Sequence, residues 1–330
     1  MHRKIVFSLM AMAIAALPVF DCPSISRAAE FPAKAITMLC GSTAGSPVDV
    51  MARELAKPME KILGKAVVVQ NRPGGSQAEE LSTMLSQPAD GYTLGTVTTS
   101  TAGALAGHLR QHFKAQDFSF LALVQNDPYA LVVKADSPYK DLKGLLAFAK
   151  ANPGKIKVGG FGTGSGHHLA FLDLCDKAGV QMRWVSFDGG SAAIAAALGG
   201  HVDVAHTNPG AVVGHVVAGK MRILAIASEK RIPASPNTTA LSLVPTYREQ
   251  GIELVLFQWR GVAMRAGAPK AVEDKLIAAI TQAAHTPEFK KYIQNTTQLE
   301  SDLTGEKAQE YVLEEVTHTA DRLRSLGLLK

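Results

Sequence analysis

Short apolar runs and amphipathic segments alternate along the chain from residue 35 onward. Residues 35–40 form an apolar run with β character, and the apolar positions between Val48 and Leu63 then recur at spacings of three and four. This spacing predicts an amphipathic helix that ends at Gly64, and the apolar run 66–69 predicts a second strand. Strand, loop, helix and strand form a βαβ unit, which predicts a parallel sheet covered on both faces.

The same order of elements returns in the middle of the chain, with small-residue loops between each strand and the next helix. The predicted strands are 156–158, 184–187, 202–205 and 221–227, and the predicted helices are 168–178, 192–198 and one that ends at residue 217. Two further apolar runs, 130–133 and 254–257, predict strands at the transitions between blocks. The middle of the chain therefore has a doubly wound pattern of its own.

The C-terminal part has a helical pattern and no obvious partner strands. Its predicted helices are 272–284, 287–295 and 306–326. The simplest solution returns these helices to the first block, which predicts an α/β fold of two doubly wound lobes joined by two crossover segments. Lobe 1 then comprises residues 29–130 plus 256–330, and lobe 2 comprises 131–255. A cleft between two such lobes is a usual place for a ligand.

The first 28 residues have the pattern of a secretory signal peptide. Arg3 and Lys4 precede an apolar run, and small residues follow near residue 28. The run is shorter than the roughly 20 residues of a membrane-spanning helix, and no later run is long enough. We expect a cleaved signal peptide and a soluble periplasmic product. Cys22 raises the alternative of a lipoprotein, but residues 19–21 lack the small side chains of such a site.

Composition narrows the class of protein. The chain has 330 residues, 47% of them hydrophobic and 19% charged, which is typical of a globular protein of about two domains. Its net charge of +5 falls to +3 without the first 28 residues, which hold three basic side chains and one acidic side chain. No basic run occurs, which argues against a nucleic-acid partner. Cys40 and Cys175 are predicted to be buried thiols, and no spacing of cysteine and histidine predicts a metal or another cofactor.

Three loops between a strand and a helix have the sequence of an anion-binding helix N-terminus. In the first loop Ser46 is a good N-cap, Pro47 suits the first helical position, and Asp49 stands three residues after the cap. The second loop, 162–166, has Ser165 as its cap, and the third is 207–209. Backbone N–H groups in such loops approach a ligand closely, and the helix end adds about half a positive charge. Well-capped helices without a ligand are the alternative for each loop.

The motifs of nucleotide-binding and serine enzymes do not fit these loops. A P-loop requires Gly-Lys-Ser or Gly-Lys-Thr, the glycines from Gly160 to Gly166 lack the GxGxxG spacing, and Ser165 lacks the flanking glycines of a nucleophile elbow. His167 and His168 are candidates for capping, packing, ligand contact or a catalytic base. Neighbouring helical side chains point about 100° apart, so these two do not easily share a metal. We expect no catalytic residue and no metal site.

Six sequence blocks, in this order, resemble the Bug family of periplasmic solute-binding proteins, also called TctC-like. They are FPAKAITMLCGSTAGSPVDVMAREL, VVVQNRPGG, DGYTL, LKGLLAFAKANPGKIKVGGFGTGSGHHLA, ALGGHVDVAHTNPGAVVGHVVAGKMRILAIAS and VPTYREQGIELVLFQWRGVAMRAGAPK. The resemblance runs from about Phe31 to the C-terminus. It implies a two-lobed Venus flytrap fold and an association with tripartite tricarboxylate transporters.

The resemblance also implies that a carboxylate is held in the cleft by backbone amides and small hydroxyl side chains of facing loops. Transferred by position, the ligand-binding residues are Ser42, Thr43, Ala44, Gly45, Ser46, Thr98, Thr99, Gly164, Ser165, Gly166, His168, Thr207 and Asn208. Asp49 matches the acid that relatives carry on the first helix, and we assign it to capping.

Two departures from the family bear on the ligand. Relatives commonly begin the first loop with proline and an aromatic residue, where this chain has Cys40-Gly41, which gives room for a larger or flatter ligand. Relatives often carry a basic residue where Asp188 stands. Asp188 is therefore a candidate contact for an amine or hydroxyl of the ligand, or else a solvated turn residue.

From these patterns we expect a monomeric periplasmic binding protein and no catalysis. Its partners would be a small organic carboxylate, such as a dicarboxylate or an aromatic acid, and the membrane subunits of a tripartite transporter. One alternative is an exported sensory binding module, and another is a hydrolase that uses Ser165 with His167 or His168.

Overall fold

The computed structural model describes residues 31–187, 189–234, 236 and 239–329. In this part of the chain the strands are β1 (Ile36–Cys40), β2 (Val67–Asn71), β3 (Thr93–Thr98), β4 (Phe118–Pro128), β5 (Ala130–Lys134), β6 (Lys157–Phe161), β7 (Arg183–Phe187), β8 (Val204–Thr207), β9 (Met221–Ile226), β10 (Phe257–Arg265) and β11 (Leu299–Thr304). The helices are α1 (Pro47–Leu63), α2 (Ala78–Ser86), α3 (Thr99–Ala106), α4 (Leu142–Ala151), α5 (Gly166–Ala178), α6 (Gly190–Leu198), α7 (Pro209–Val217), α8 (Thr239–Ser242), α9 (Lys270–Ala284), α10 (Pro287–Asn295) and α11 (Glu306–Ser325).

The predicted signal peptide, residues 1–28, lies outside the described residues. Within the described ranges, no helix is both long enough and apolar enough to cross a membrane.

The first sheet contains six strands in the order β11-β4-β10-β3-β1-β2. β1 pairs in parallel with β2 and β3, which confirms the βαβ unit predicted from the N-terminal pattern. β10 is antiparallel to both β3 and β4, and β11 is antiparallel to β4. The sheet is therefore mixed, with its parallel part at the β2 edge.

The second sheet contains five strands in the order β7-β6-β8-β5-β9. β6 pairs in parallel with β7 and β8, whereas β5 is antiparallel to β8 and β9. Along β5, Ala130 and Val132 pack in one hydrophobic cluster while Leu131 and Val133 pack in another, so both faces of this strand are buried. Period-two alternation between two cores is what a central strand requires.

The two sheets belong to the two predicted lobes of an α/β fold. The chain passes from the first sheet to the second at Tyr129, between β4 and β5, and returns through residues 227–256, between β9 and β10. We propose the lobe boundaries that the sequence predicts, near residues 130 and 256. α2, α3 and α11 cover one face of the first sheet, where the fully buried Trp259 packs in their shared core.

Helix α1 has both of its predicted ends. The Ser46 hydroxyl accepts from the backbone N–H of Asp49 at 3.3 Å. At the other end Gly64 has a left-handed backbone with φ 65°, and its N–H donates to the Glu60 carbonyl. Glycine adopts this conformation without strain, which is why the amphipathic pattern stops there. Pro58 is buried within the helix.

Two expectations about the C-terminal half are wrong. Residues 254–256 are not a strand: Ile252 and Leu254 are buried in the core of lobe 2, and the N–H of Leu256 donates to the Ala227 carbonyl at 3.1 Å. The apolar run reflects burial of a crossover segment, and the strand begins only at Phe257. The C-terminal part also contributes its own strand, β11, which extends the first sheet beside β4.

Both predicted buried thiols are confirmed. Cys40 ends β1, Cys175 lies in α5, and both are buried and unpaired. Burial raises the pKa of the Cys175 thiol to about 12.

Candidate functional site

A cavity of about 710 Å³ lies between α3 of lobe 1 and α5 of lobe 2. The β6–α5 loop lines it from one side and the first turn of α3 from the other, and the C-terminal end of α11 closes a third side. Of the predicted ligand-binding residues, those that line this cavity are Thr99, Gly164, Ser165 and Gly166.

The β6–α5 loop folds so that its backbone faces the cavity. The Ser165 hydroxyl donates to the carbonyls of Phe161 and Gly162 and accepts from the N–H of His168 at 3.3 Å, which caps α5. Gly162 and Gly164 have positive φ angles of 56° and 76°. In the hydrogen bonding of the described residues, the N–H groups of Gly166 and His167 have no acceptor within the protein. A helix N-terminus with such amides attracts an anion.

Helix α3 begins directly opposite. Thr98 forms a capping box with Thr101, and the Thr99 hydroxyl accepts from the backbone N–H of Trp259 at 2.9 Å. The methyl group of Thr99 faces Gly166: a Cβ at Gly166 would lie 3.2 Å from it and 2.8 Å from the Tyr129 hydroxyl. Two helix N-termini, one from each lobe, therefore meet across the cavity at a glycine that has no room for a side chain.

The first loop, which contains Ser42, Thr43, Ala44, Gly45 and Ser46, is not among the described residues that line this cavity. Its conformation is set by Asp49 and Asn71. Asp49 accepts from the Gly45 N–H and from the Asn71 amide, each at 2.8 Å, and the Asn71 amide also donates to the Ser42 carbonyl at 2.9 Å.

The bonding of Asp49 restricts what the first loop offers a ligand. Burial acts to raise the pKa of Asp49, but bonds from Arg53, Gly45 and Asn71 outweigh it and lower the pKa. Asp49 is therefore ionised, and it accepts a hydrogen bond from the Gly45 N–H, which the sequence resemblance assigned to the ligand. In the described part of the loop, Thr43 and Ala44 are the residues whose N–H groups have no protein acceptor.

Thr207 and Asn208 lie near the crossover between the lobes. Thr207 is the last residue of β8 and is buried, and Asn208 precedes α7. The Asn208 amide donates to the carbonyls of Asp127 and Pro128 at 3.2 and 3.0 Å. These bonds tie lobe 2 to the last residues of β4. Asp188 lies outside the described residues.

The two neighbouring histidines occupy different environments. His168 packs against Trp184 with ring centroids 4.9 Å apart, and its Nδ1 accepts from the Gly164 N–H at 3.1 Å. It supports the loop from behind. His167 lines the cavity, packs edge-on against Tyr129 at 4.9 Å, and has a pKa lowered to about 4 by burial. The imidazole at the cavity wall is therefore neutral at pH 7.

Serine chemistry has no support in this geometry. The Ser165 hydroxyl donates to two carbonyls, and neither neighbouring imidazole in the described structure accepts its proton. In the same described ranges, histidine, cysteine, aspartate and glutamate side chains do not form a group of three or more that suits a metal.

Sequence reasoning missed Gln77. This residue precedes α2 with a positive φ of 81°, lines the cavity, and donates from its amide to the Thr98 hydroxyl at 3.4 Å. Its Oε1 is buried and has no hydrogen-bond partner among the described residues. The sequence offered no local signal, because a polar residue after Gly74-Gly75 is an ordinary turn composition.

Comparison with known proteins agrees with this architecture. The model of the TctC family, described as tripartite tricarboxylate transporter family receptor, matches residues 51–328. The UPF0065 protein in the gbd 5' region of Cupriavidus necator is 31% identical over 97% of this chain and 96% of its own length.

Two solved structures are similar over nearly their whole length. A TctC solute-binding protein from Polaromonas superposes with a TM-score of 0.78 at 26% identity, covering 89% of this chain and 99% of that one. MatC from Rhodopseudomonas palustris, with bound malate, superposes with a TM-score of 0.66 at 25% identity, covering 88% and 99%.

Two lobes with a cavity at their facing helix N-termini define a binding protein of the Venus flytrap type. The chain belongs to the TctC family, which comprises periplasmic solute-binding proteins and which the sequence resemblance had predicted.

Proposed function

We propose that this protein captures a small organic carboxylate between its lobes and delivers it to the membrane subunits of a tripartite transporter. The observation that carries the proposal is the meeting of two helix N-termini, α3 from lobe 1 and α5 from lobe 2, at Thr99 and Gly166. Each end favours negative charge, and the unpaired amides of Gly166 and His167 point to a carboxylate as the bound group. The malate bound to MatC is a ligand of this chemical class.

The two lobes give a mechanism for capture. A carboxylate that bonds to the N–H groups of Gly166 and His167 and to the first turn of α3 gains its full binding energy only when the lobes are close together. Ligand binding therefore shifts an open–closed equilibrium toward the closed form, and the transporter recognises that form. No covalent step is required, and we assign the protein no enzymatic activity.

The predicted residues then have different roles. Gly164, Ser165, Gly166 and Thr99 form the carboxylate clamp at the two helix ends, and Thr98 caps α3. Thr43 and Ala44 offer the amides of the first loop, which Ser42, Gly45 and Ser46 hold in shape. His168 supports the clamp through Gly164, and Thr207 and Asn208 brace the crossover.

The rest of the cavity favours a ligand with an apolar or aromatic body. Phe161, Phe257 and Tyr129 line it, and the neutral imidazole of His167 provides a hydrogen bond without a charge. Asp173 and Glu315 line the side near α11, where Arg322 balances the charge of Asp173. We place the protein in the periplasm as a monomer, after cleavage of the predicted signal peptide.

A thermal-shift screen with malate, adipate, benzoate and glutamate tests the proposal. A bound carboxylate raises the unfolding temperature because it binds only the folded state. Gly166→Ala is the informative variant, since its Cβ would contact Thr99 and Tyr129 and keep the helix ends apart. We expect it to lower the affinity at least about tenfold.

Gly214→Ala in α7 is the matched control, because a Cβ there meets nothing within 4 Å. It should bind as the wild type does. If none of the acids raises the unfolding temperature, the carboxylate assignment is wrong. If the protein binds the acid but its deletion leaves cellular uptake of that acid unchanged, a sensory role is supported. If the protein hydrolyses a substrate and Ser165→Ala abolishes turnover, the hydrolase alternative is supported.

A further inference from the structure

Glu80 of α2 is a carboxylic acid buried beneath the start of the 41–46 loop and the end of β3. Only 1% of the residue is exposed. Its Oε1 accepts from the N–H of Thr96 at 2.8 Å and from the Thr96 hydroxyl at 3.0 Å. The backbone of Gly41 also donates to this carboxyl group. One side chain thus bonds to the end of β1 and to β3, two residues before the cap of α3.

The backbone is shaped around this side chain. A Cβ at Gly41 would lie 2.2 Å from the Glu80 Oε2, and a Cβ at Gly95 would lie 3.3 Å from its Oε1 and 2.0 Å from the Met84 methyl group. Glycine at both positions lets α2 approach the two strands.

Among the described residues, no cation is paired with the Glu80 carboxyl group. Burial raises its pKa to about 8, against the opposing effect of bonds from Thr96 and Gly41. The titratable neighbour on β1 is the Cys40 thiol, whose pKa is also raised by burial. Beyond it on α1, Asp49 is paired with Arg53. On β10, Arg265 bonds to the carbonyls of Leu85 and Gln87 at the far end of α2.

We propose that Glu80 is a positioning residue for ligand binding, which fixes the separation between the 41–46 loop and the N-terminus of α3. An apolar side chain would fill the same space without the cost of burying a carboxyl group. The acid instead joins two strands through directional bonds at the places where their loops begin. This inference rests on the proposed function, because the separation matters only if both loops face the ligand.

Ionisation of Glu80 would weaken binding for two reasons. A negative charge beneath the first loop repels a carboxylate, and a buried charge without a cation favours rearrangement of the backbone that holds it. Glu80→Gln keeps the size of the side chain and cannot ionise, but its amide nitrogen cannot accept from Gly41. Glu79→Gln, which changes the exposed acid one position earlier on α2, is the matched control.

The experiment measures malate affinity by calorimetry for the three proteins at about pH 6 and about pH 9, on either side of the Glu80 transition. We expect wild type and Glu79→Gln to lose about tenfold in affinity at the higher pH. Glu80→Gln should bind less tightly than wild type at the lower pH and lose less affinity than Glu79→Gln at the higher pH, because the remaining change comes from groups such as Glu315 that all three proteins share. An unchanged affinity together with the wild-type pH profile in Glu80→Gln would overturn the proposal.

A measurement without ligand separates this inference from the proposed function. Hydrogen exchange followed by mass spectrometry reports the opening of segments 41–46 and 96–99 directly. We expect both segments to exchange faster in Glu80→Gln than in Glu79→Gln. If malate fails to bind but both segments respond, the ligand assignment fails and the positioning role stands. If neither segment responds, Glu80 does not position the loops.

Discussion

Arg322 on α11 of lobe 1 forms a two-point ion pair with Asp173 on α5 of lobe 2. Its Nε donates to Asp173 at 2.9 Å, and its Nη2 bonds to Asp173 and also to Asp176 at 2.6 Å. Asp173 lines the cavity and is largely buried, so solvent screens this pair less than a surface pair. The contact joins the two lobes beside the proposed ligand site, and it helps to hold the lobes together.

Replacement of Arg322 should therefore favour the open form. We expect Arg322→Ala to lower malate affinity by about threefold to tenfold, because less of the protein occupies the closed form. Small-angle X-ray scattering should show a larger radius of gyration without ligand. Arg324→Ala is the control, since Arg324 lies on the same helix and bonds to Asp321 within it. Equal radii and affinities for both variants would show that the ion pair does not contribute to closure.

Glu315 makes the same interface sensitive to pH. Burial, and next the charge of Asp173, raise the pKa of Glu315 to about 7. The folded protein keeps this proton above pH 4.5 while the unfolded chain releases it, so the contribution of Glu315 to stability falls as the pH rises from about 4.5 to about 7. The unfolding temperature of Glu315→Gln should therefore fall less than that of the wild type as the pH rises from about 4.5 to about 7. Thermal unfolding at several pH values in this range measures the difference.

Glu314→Gln is the matched control for that experiment, because Glu314 is exposed one position earlier on α11. Its unfolding temperature should follow that of the wild type at every pH. The prediction fails if Glu315→Gln and Glu314→Gln have parallel pH profiles.

Asp49 holds the first loop, and its removal should loosen that loop. Asp49→Ala removes the acceptor of the Gly45 N–H and one of the two acceptors of the Asn71 amide, and we expect a loss of about 1–3 kcal/mol in the free energy of unfolding. Burial acts to raise the pKa of Asp49, but its hydrogen bonds have the larger effect, and the net result is a lowered pKa. Its contribution is therefore present above about pH 3.8 and declines as the pH falls further.

Urea unfolding measures the effect of Asp49→Ala. Glu54→Ala on the same helix provides the comparison, because the Glu54 carboxylate bonds to the exposed Lys57. A loss of the same size in both variants would mean that Asp49 acts as an ordinary helical surface residue.

Local sequence signals predicted the helix ends correctly, but they did not predict the pairing of strands that are far apart in the sequence. Ser46 and Ser165 cap their helices as expected, because a cap depends on three neighbouring residues. β11 was missed because its partner, β4, lies some 175 residues earlier, so that its six residues carry no local sign of the pairing. Residues 254–256 were misassigned because an apolar run that packs as a crossover has the same composition as a strand.

The residues of the candidate site likewise divide into those that local sequence predicts and those whose role depends on long-range packing. The composition of the glycine-rich loop before α5 predicts a binding loop, but the sequence does not determine which of His167 and His168 faces the cavity. The rotation of α5 about its own axis determines which of the two rings faces the cavity. That rotation depends on packing against β7, where Trp184 contacts His168. Glu80 gave no signal at all, because its role depends on the approach of α2 to two strands.

His167 gives a last prediction, with a pH dependence opposite in sign to that of Glu315. Burial lowers its pKa to about 4, so the unfolded chain takes up a proton near pH 6.5 while the folded protein does not. The stability of the fold should therefore fall as the pH drops from about 6.5 to about 4, by up to about 3 kcal/mol for this group. His167→Phe keeps a ring beside Tyr129 and removes this component, whereas His112→Phe replaces an exposed imidazole. Urea unfolding at several pH values compares the two, and a wild-type acid slope in His167→Phe would show that this imidazole is protonated in the folded protein.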